Sequence, residues 1–184
     1  MIKKILLIFI LLNLSNAALG EIKVNIINSL VNIKNFSFNF EQNINGKIET
    51  GNCIIEYPKK IFCKYNQKNN KILVSNGNSI VIKTDNGSYY RYRIKNTMLN
   101  YVLDKNFLIT QIKNLDERII DDKFINFTIF KDENEINIFF DKINFNLIGW
   151  QTLDIYQNLN VTFLTSFKKN QDLDKDIFKL PPAN

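Results

Sequence analysis

The chain has 184 residues, with 24 Lys and Arg, 18 Asp and Glu, two cysteines and no histidine. Without imidazole there is no serine-type triad and no histidine base, and two thiols are a poor start toward the four ligands of a zinc site. A formal charge of +6 with lysines scattered among acids gives no nucleic-acid footprint, and six glycines form no phosphate-cradling loop.

The first stretch, MIKKILLIFILLNLSNAALGE, has a short basic head, an apolar run too short to span a bilayer, and small residues after it. That plan predicts a secretory signal peptide over residues 1–20, removed after Ala17 or Gly20, and no lipid-attachment cysteine follows either position. Its loss leaves 184 − 20 = 164 residues (21–184), enough for one domain with a single core, and lowers the formal charge from +6 to +4 as Lys3 and Lys4 depart.

Apolar residues at 22, 26, 27, 30, 31 and 33 then predict one amphipathic helix over Ile22–Lys34. The period changes to two at Phe36, Phe38 and Phe40, and Asn45-Gly46 is a strong hairpin signal whose register sets Phe38 beside Cys53 and Phe36 beside Ile55. In NCIIEYPKKIFCKY, residues 52–65, a turn at Pro58 places 51, 53 and 55 opposite 65, 63 and 61. Facing Cβ atoms in a hairpin lie about 4.5 to 5.5 Å apart, so an oxidising compartment favours a Cys53–Cys63 disulfide, with two reduced core cysteines as the alternative. Both hairpins agree on one apolar face: Phe36, Phe38, Phe40, Cys53, Ile55, Tyr57, Ile61, Cys63 and Tyr65.

KILVS, SIVIKT and SYYRYRI follow as strands around Asn76-Gly77 and Asn86-Gly87. Thr97–Asp104 carries Met98, Leu99, Val102 and Leu103 at helical spacing with Thr97 as its cap. Strand-like runs resume with FLITQI, FINFTIF, EINIFF, INFNLIGW, WQTLDIY and VTFLTSF. Asp116, Glu117, Asp121 and Asp122, and then Asp132, Glu133 and Glu135, sit beside turn residues and are expected to be solvated loops rather than acid/base or calcium sites. The expectation is mainly β with a few helices, about ten short antiparallel strands in a barrel or strongly curved sheet.

Five segments in order give the chain a resemblance to the periplasmic outer-membrane lipoprotein carrier family, the LolA-like proteins. FSFNFEQ resembles the family's opening Phe-x-x-x-Phe-x-Gln strand, EYPKKIFCKY its Lys-Arg-Pro-Gly-Lys-Phe-x-Trp-x-Tyr hairpin, and ILVSNGNSIVIK its Leu-Ile-Val-Ser-Asp-Gly-Lys segment. LIGWQTLDIYQNLNVTFLTSF is similar to a late Leu-x-Gly-Trp hairpin, and DIFKLPP to its closing Leu-Phe-x-Phe-x-Pro-Pro. The resemblance implies an unclosed antiparallel β-barrel of about 10–11 strands under a helical lid, filling residues 21–184. It implies a monomeric, non-enzymatic periplasmic chaperone without cofactor. Its implied partners are lipoprotein acyl chains, an inner-membrane lipoprotein-releasing ABC transporter and an outer-membrane acceptor or receptor. Phe36, Phe38, Phe40, Ile55, Tyr57, Ile61 and Tyr65 would then form the cavity wall, and Ile26, Leu30, Met98, Leu99, Val102 and Leu103 the lid. The arginine that latches the family's lid, just before the hairpin proline, is replaced by Tyr57, which has neither fork nor charge. That role is therefore not carried over.

Three other readings compete. Another periplasmic lipid carrier, such as a relative resembling the outer-membrane lipoprotein receptor, has the same fold and a different cargo. A small outer-membrane barrel calls for longer strands with aromatic girdles, and an exported hydrolase would rely on carboxylates alone.

Overall fold

Period-two alternation becomes strand wherever a two-residue turn can fix its register. The computed structural model describes residues 20–66, 68–131, 133–153, 157–174 and 176–183, so the expected signal segment up to residue 19 lies outside them. Eleven antiparallel strands form: β1 (Asn35–Ile44), β2 (Lys47–Glu56), β3 (Lys60–Tyr65), β4 (Ile72–Asn76), β5 (Ser79–Lys83), β6 (Tyr89–Arg93), β7 (Arg118–Ile120), β8 (Phe124–Lys131), β9 (Asn134–Asp141), β10 (Leu147–Leu153) and β11 (Leu159–Lys169). Helix α1 covers 20–31, a 3-10 turn Ile94–Asn96, α2 Leu99–Val102 and α3 Lys105–Asn114.

The sheet order is β6-β5-β4-β3-β2-β1-β11-β10-β9-β8-β7. It is two up-and-down meanders, β1–β6 and β7–β11, joined along β1 and β11 and left unclosed between β6 and β7. The expected registers form: Phe36 faces Ile55, Phe38 faces Cys53, and Cys53 faces Cys63. The turn glycines supply the left-handed backbone that such hairpins need, with φ of 86° at Gly46 and 95° at Gly77.

Inward side chains of both meanders share one apolar core with the helices. Ile26, Leu30 and Ile33 belong to it, as do Phe36, Ile55, Leu103, Leu108, Ile112, Ile125 and Phe127. Helices α1 and α3 lie side by side and antiparallel, tied at both ends. Lys23 pairs with Glu117 at 3.4 Å and Asp116 at 3.8 Å, while the Lys105 ammonium donates to the carbonyls of Ile33 (2.8 Å) and Val31 (3.2 Å). Glu117, expected in a solvated loop, is thus buried beneath α1 with its side chain 3% exposed. Asp116, Asp121 and Asp122 are exposed as expected.

Three other expectations fail for local reasons. FLITQI, expected as a strand, is the body of α3. Asp104 caps that helix by accepting from Phe107 N at 3.1 Å, and Leu108 and Ile112, four apart, bury one helical face. Thr97 does not cap the helix that follows it: it closes the 3-10 turn before it, its hydroxyl donating to the Ile94 carbonyl at 2.8 Å, and α2 is a single turn starting at Leu99. Strand β7 (Arg118–Ile120) was not foreseen, because three residues between acids carry no periodicity. The end of the expected WQTLDIY strand, 154–156, lies outside the described residues.

A second, smaller core sits on the convex side. Val74 and Val81 face each other across β4 and β5 and are fully buried there, away from the main core. The C-terminal segment crosses this region. Phe178 is buried, the Lys60 ammonium stands 5.7 Å from its ring, and the Pro181 and Pro182 carbonyls accept from Tyr89 and Lys83.

Candidate functional site

Four rungs of inward residues, each two residues further along the strands, build a concave wall. The first is Phe36, Ile55, Ile61, Ser75, Ile80 and Tyr92; the second is Phe38, Cys53, Cys63, Leu73 and Ile82. The third is Phe40, Gly51 and Tyr65, and the fourth is Gln42 and Glu49. From Phe36 to Gln42 is six residues of strand, about 20 Å.

A cavity of ≈ 410 Å³ opens over this wall. Phe38, Phe40, Ile61, Leu73, Ile80, Ile82, Tyr92 and Trp150 line it, with Met98 and Leu99 at its roof. Trp150 stands edge-on to Phe38 with ring centroids 6.4 Å apart. The two sulfurs also face it: Cys53 and Cys63 are joined by a disulfide across β2 and β3, with Cα atoms 4.1 Å apart. Gly51 makes the third rung possible. A Cβ there would lie 2.7 Å from the Phe40 ring and 2.2 Å from the Lys64 carbonyl, so its absence lets Phe40 and Tyr65 meet edge-to-face, centroids 4.9 Å apart, over bare backbone.

The fourth rung turns the cavity polar. Gln42, Lys71, Thr152, Asn160 and Thr162 line this end. The Tyr65 hydroxyl donates to Gln42 (3.4 Å), Gln42 to Thr162 (3.2 Å) and Thr162 to Asn160 (3.3 Å). Beside this row the Glu49 carboxylate, 3% exposed, receives Lys71 at 2.6 Å and Lys47 at 2.9 Å. The Lys71 ammonium also stands 4.1 Å from the centre of the Tyr65 ring. Burial, and then the Glu49 charge, push the Tyr65 phenol well above the ordinary tyrosine range.

The roof is held by the hairpin turn between β2 and β3. Lys59 donates its backbone N–H to the Leu103 carbonyl at 2.8 Å, and its ammonium reaches the Asp104 carboxylate at 3.3 Å. The Lys59 carbonyl in turn accepts the Ser75 hydroxyl at 2.8 Å. Tyr57, two residues earlier, contributes packing instead: it stacks obliquely on Phe36, centroids 5.9 Å apart, and Lys105 lies 5.8 Å from its ring.

The expected wall and lid thus divide. Phe38, Phe40, Ile61 and Tyr65 border the cavity, as do Met98 and Leu99. Phe36, Ile55 and Tyr57 do not. Phe36 and Ile55 are sealed in the core, Phe36 between Phe38, Tyr57 and Phe167. Ile26, Leu30, Val102 and Leu103 are likewise fully buried and away from the opening. Leu73, Ile80, Ile82 and Tyr92 were missed as lining residues, although period two carried through β4, β5 and β6 points to them. Gln42, Lys71 and Thr162 were missed because a polar residue on an apolar face reads from sequence as a frayed strand end.

With that geometry in hand, the comparisons with known proteins are decisive for family. A family model described as outer membrane lipoprotein carrier protein LolA matches residues 31–181. The chain belongs to the LolA family. No curated protein matches it by sequence. Among solved structures, it is similar to an uncharacterized conserved protein from Thermus thermophilus, with a TM-score of 0.53 and 6% identity over 90% of this chain and 95% of that one. MucB gives a TM-score of 0.51 at 10% identity, over 91% of this chain and 64% of that one. A LolA superfamily protein from Nitrosomonas europaea gives 0.47 at 9% identity, over 88% and 97%. Identities this low speak for fold alone. At the hairpin turn of this chain it is Lys59 that makes the contacts to the roof.

Proposed function

We propose that the mature chain, residues 21–184, is a non-enzymatic periplasmic carrier that takes lipoprotein acyl chains into this cavity between the inner and the outer membrane. The observation that carries the reading is an apolar cavity on an unclosed sheet, roofed by Met98 and Leu99 on a one-turn helix. Family membership and a disulfide suited to an oxidising compartment support it. The carrier would receive its cargo from an inner-membrane lipoprotein-releasing ABC transporter and deliver it to an outer-membrane acceptor.

Magnitudes favour such a partly open site. Burying an acyl chain contributes about 0.8 kcal/mol per methylene, roughly 12 kcal/mol for a 16-carbon chain, so full enclosure of several chains would make release very slow. An empty apolar wall must still be covered against aggregation, and a roof held by a few polar contacts can do both.

The test is photo-crosslinking in cells. A crosslinking residue at 40, 61 or 99 captures lipoprotein acyl chains, and one at exposed Glu41 does not. Variants at 40, 61 and 99 that fold and never capture lipid would overturn the reading. A second reading, a carrier of another lipid, is favoured by the polar end of the cavity around Lys71, and mass spectrometry of co-purified lipid separates the two.

A further inference from the structure

Resting on the second reading above, a carrier of another lipid, we infer that the cavity binds single-headed anionic amphiphiles in one direction, with the headgroup docked on Lys71 at the Gln42/Thr162 end. The acyl chain then runs past Tyr65 and Phe40 toward Met98 and Leu99.

The four rungs are graded. Among the described lining residues the one charged group, Lys71, stands at the Gln42 end; the disulfide, Phe38, Leu73 and Ile82 lie deeper, Ile61 and Ile80 deeper still, and the polar residues beside the roof, Asn96 and Thr97, are uncharged. An elongated ligand with one anionic terminus matches that gradient in only one orientation, because reversing it would bury its charge among uncharged side chains, far from the ammonium.

Charge selects the kind of headgroup. Two ammonium groups, Lys47 and Lys71, share the single carboxylate of Glu49, so this cluster carries a net positive charge. An ammonium has three donors. For Lys71, Glu49 takes one at 2.6 Å and the Tyr65 ring covers another side at 4.1 Å, which leaves donor capacity on the side that borders the cavity. Those contacts also immobilise the ammonium before any ligand arrives, so little side-chain freedom is lost on binding. The adjoining Tyr65–Gln42–Thr162–Asn160 row offers hydroxyls and amides to the remaining oxygens of a carboxylate or phosphate.

The test compares hexadecanoate, hexadecyl phosphate and hexadecanol as competitors of a hydrophobic dye on the purified mature protein. Both anions are expected to bind roughly ten-fold tighter than the alcohol, the scale of one charge-assisted hydrogen bond. Removing Lys71 alone would leave the buried Glu49 with the more exposed Lys47 as its remaining ion-pair partner, so the decisive variant is the double substitution Lys71→Met with Glu49→Gln. It is expected to bind hexadecanol as the wild type does and to lose the preference for anions, while Lys71→Arg keeps it. Should the double variant fail to fold, Lys71→Gln beside Lys71→Arg makes the same comparison. Equal binding of all three ligands by the wild type, or a preference that survives loss of the lysine, overturns the inference and leaves the carrier reading standing. Binding of none of the three overturns both.

Discussion

Lys59 and Asp104 face each other across 3.3 Å, and through them the β2–β3 hairpin holds the start of α3. The same carboxyl group caps that helix through its other oxygen, 3.1 Å from Phe107 N. The two jobs separate by substitution. Asp104→Asn keeps a capping oxygen and loses the charge, and is expected to cost about 1 kcal/mol or less. Asp104→Ala loses the cap as well, about 1 kcal/mol more, or roughly 2–4 °C in melting temperature. In stopped-flow mixing, both variants should admit a hydrophobic dye faster than the wild type. Unchanged dye kinetics would mean that the roof does not depend on this pair.

Gly51 is the position where the smallest addition does most harm. The new methyl of Gly51→Ala meets the Lys64 carbonyl and the Phe40 ring well inside van der Waals distance, and the carbonyl cannot move without bending β3. A loss of about 1–3 kcal/mol is expected, read as a fall in the denaturation midpoint. Phe40→Leu in the same background should restore part of it by freeing the ring side, a non-additivity that a double-mutant cycle measures.

The Cys53–Cys63 disulfide closes a loop of sequence separation 10. Replacing both cysteines with alanine is expected to cost about 2–3 kcal/mol. Acyl binding is expected to persist, because the rest of the second rung still lines the cavity. Thiol labelling of native, non-reduced protein should find neither cysteine free.

Tyrosine ionisation gives a pH signature. Burial and then the Asp104 charge hold the Tyr57 phenol above its ordinary range, and burial and then Glu49 do the same for Tyr65. Both groups keep their proton in the folded state where the unfolded chain has lost it, so their contribution is whole below the unfolded pKa of about 10 and is lost as pH rises beyond it. Tyr57 and Tyr65 should ionise late in a phenolate absorbance titration, together with alkaline unfolding. Tyr65→Phe should flatten the decline in stability above that pH.

Much of this fold was legible because hairpin turns of two or three residues leave strand register little freedom. Asn45-Gly46 and the Pro58 turn place Phe38, Cys53 and Cys63 in one row before any tertiary contact is considered. Leu108 and Ile112 were misread because FLITQI is β-branched and short, and only the Asp104 cap and the core beneath it decide for helix. The division of the wall was beyond the sequence for a different reason. Phe36 and Phe38 alternate identically, and only the packing of Tyr57 and Phe167 against Phe36 decides that one is sealed and the other borders a void. The polar end was half-visible: Glu49 shares the period of Gly51, Cys53 and Ile55, which places a charge on an inward face and asks for a partner.

The pairing of β1 with β11 sets the order in which the molecule can be assembled. Phe36 lies opposite Lys169 and Ile44 opposite Asn160, so the seam joins the first strand to the last. Each meander can form from neighbours in the chain, but alone it presents one long bare edge, ten residues in β1 or eleven in β11. Such edges recruit other chains. A polypeptide emerging from its N-terminus therefore carries its most exposed strand from the start and gains that strand's partner at the end. Closure is slow by topology, and the unfinished chain depends on being kept apart from its copies until β11 arrives.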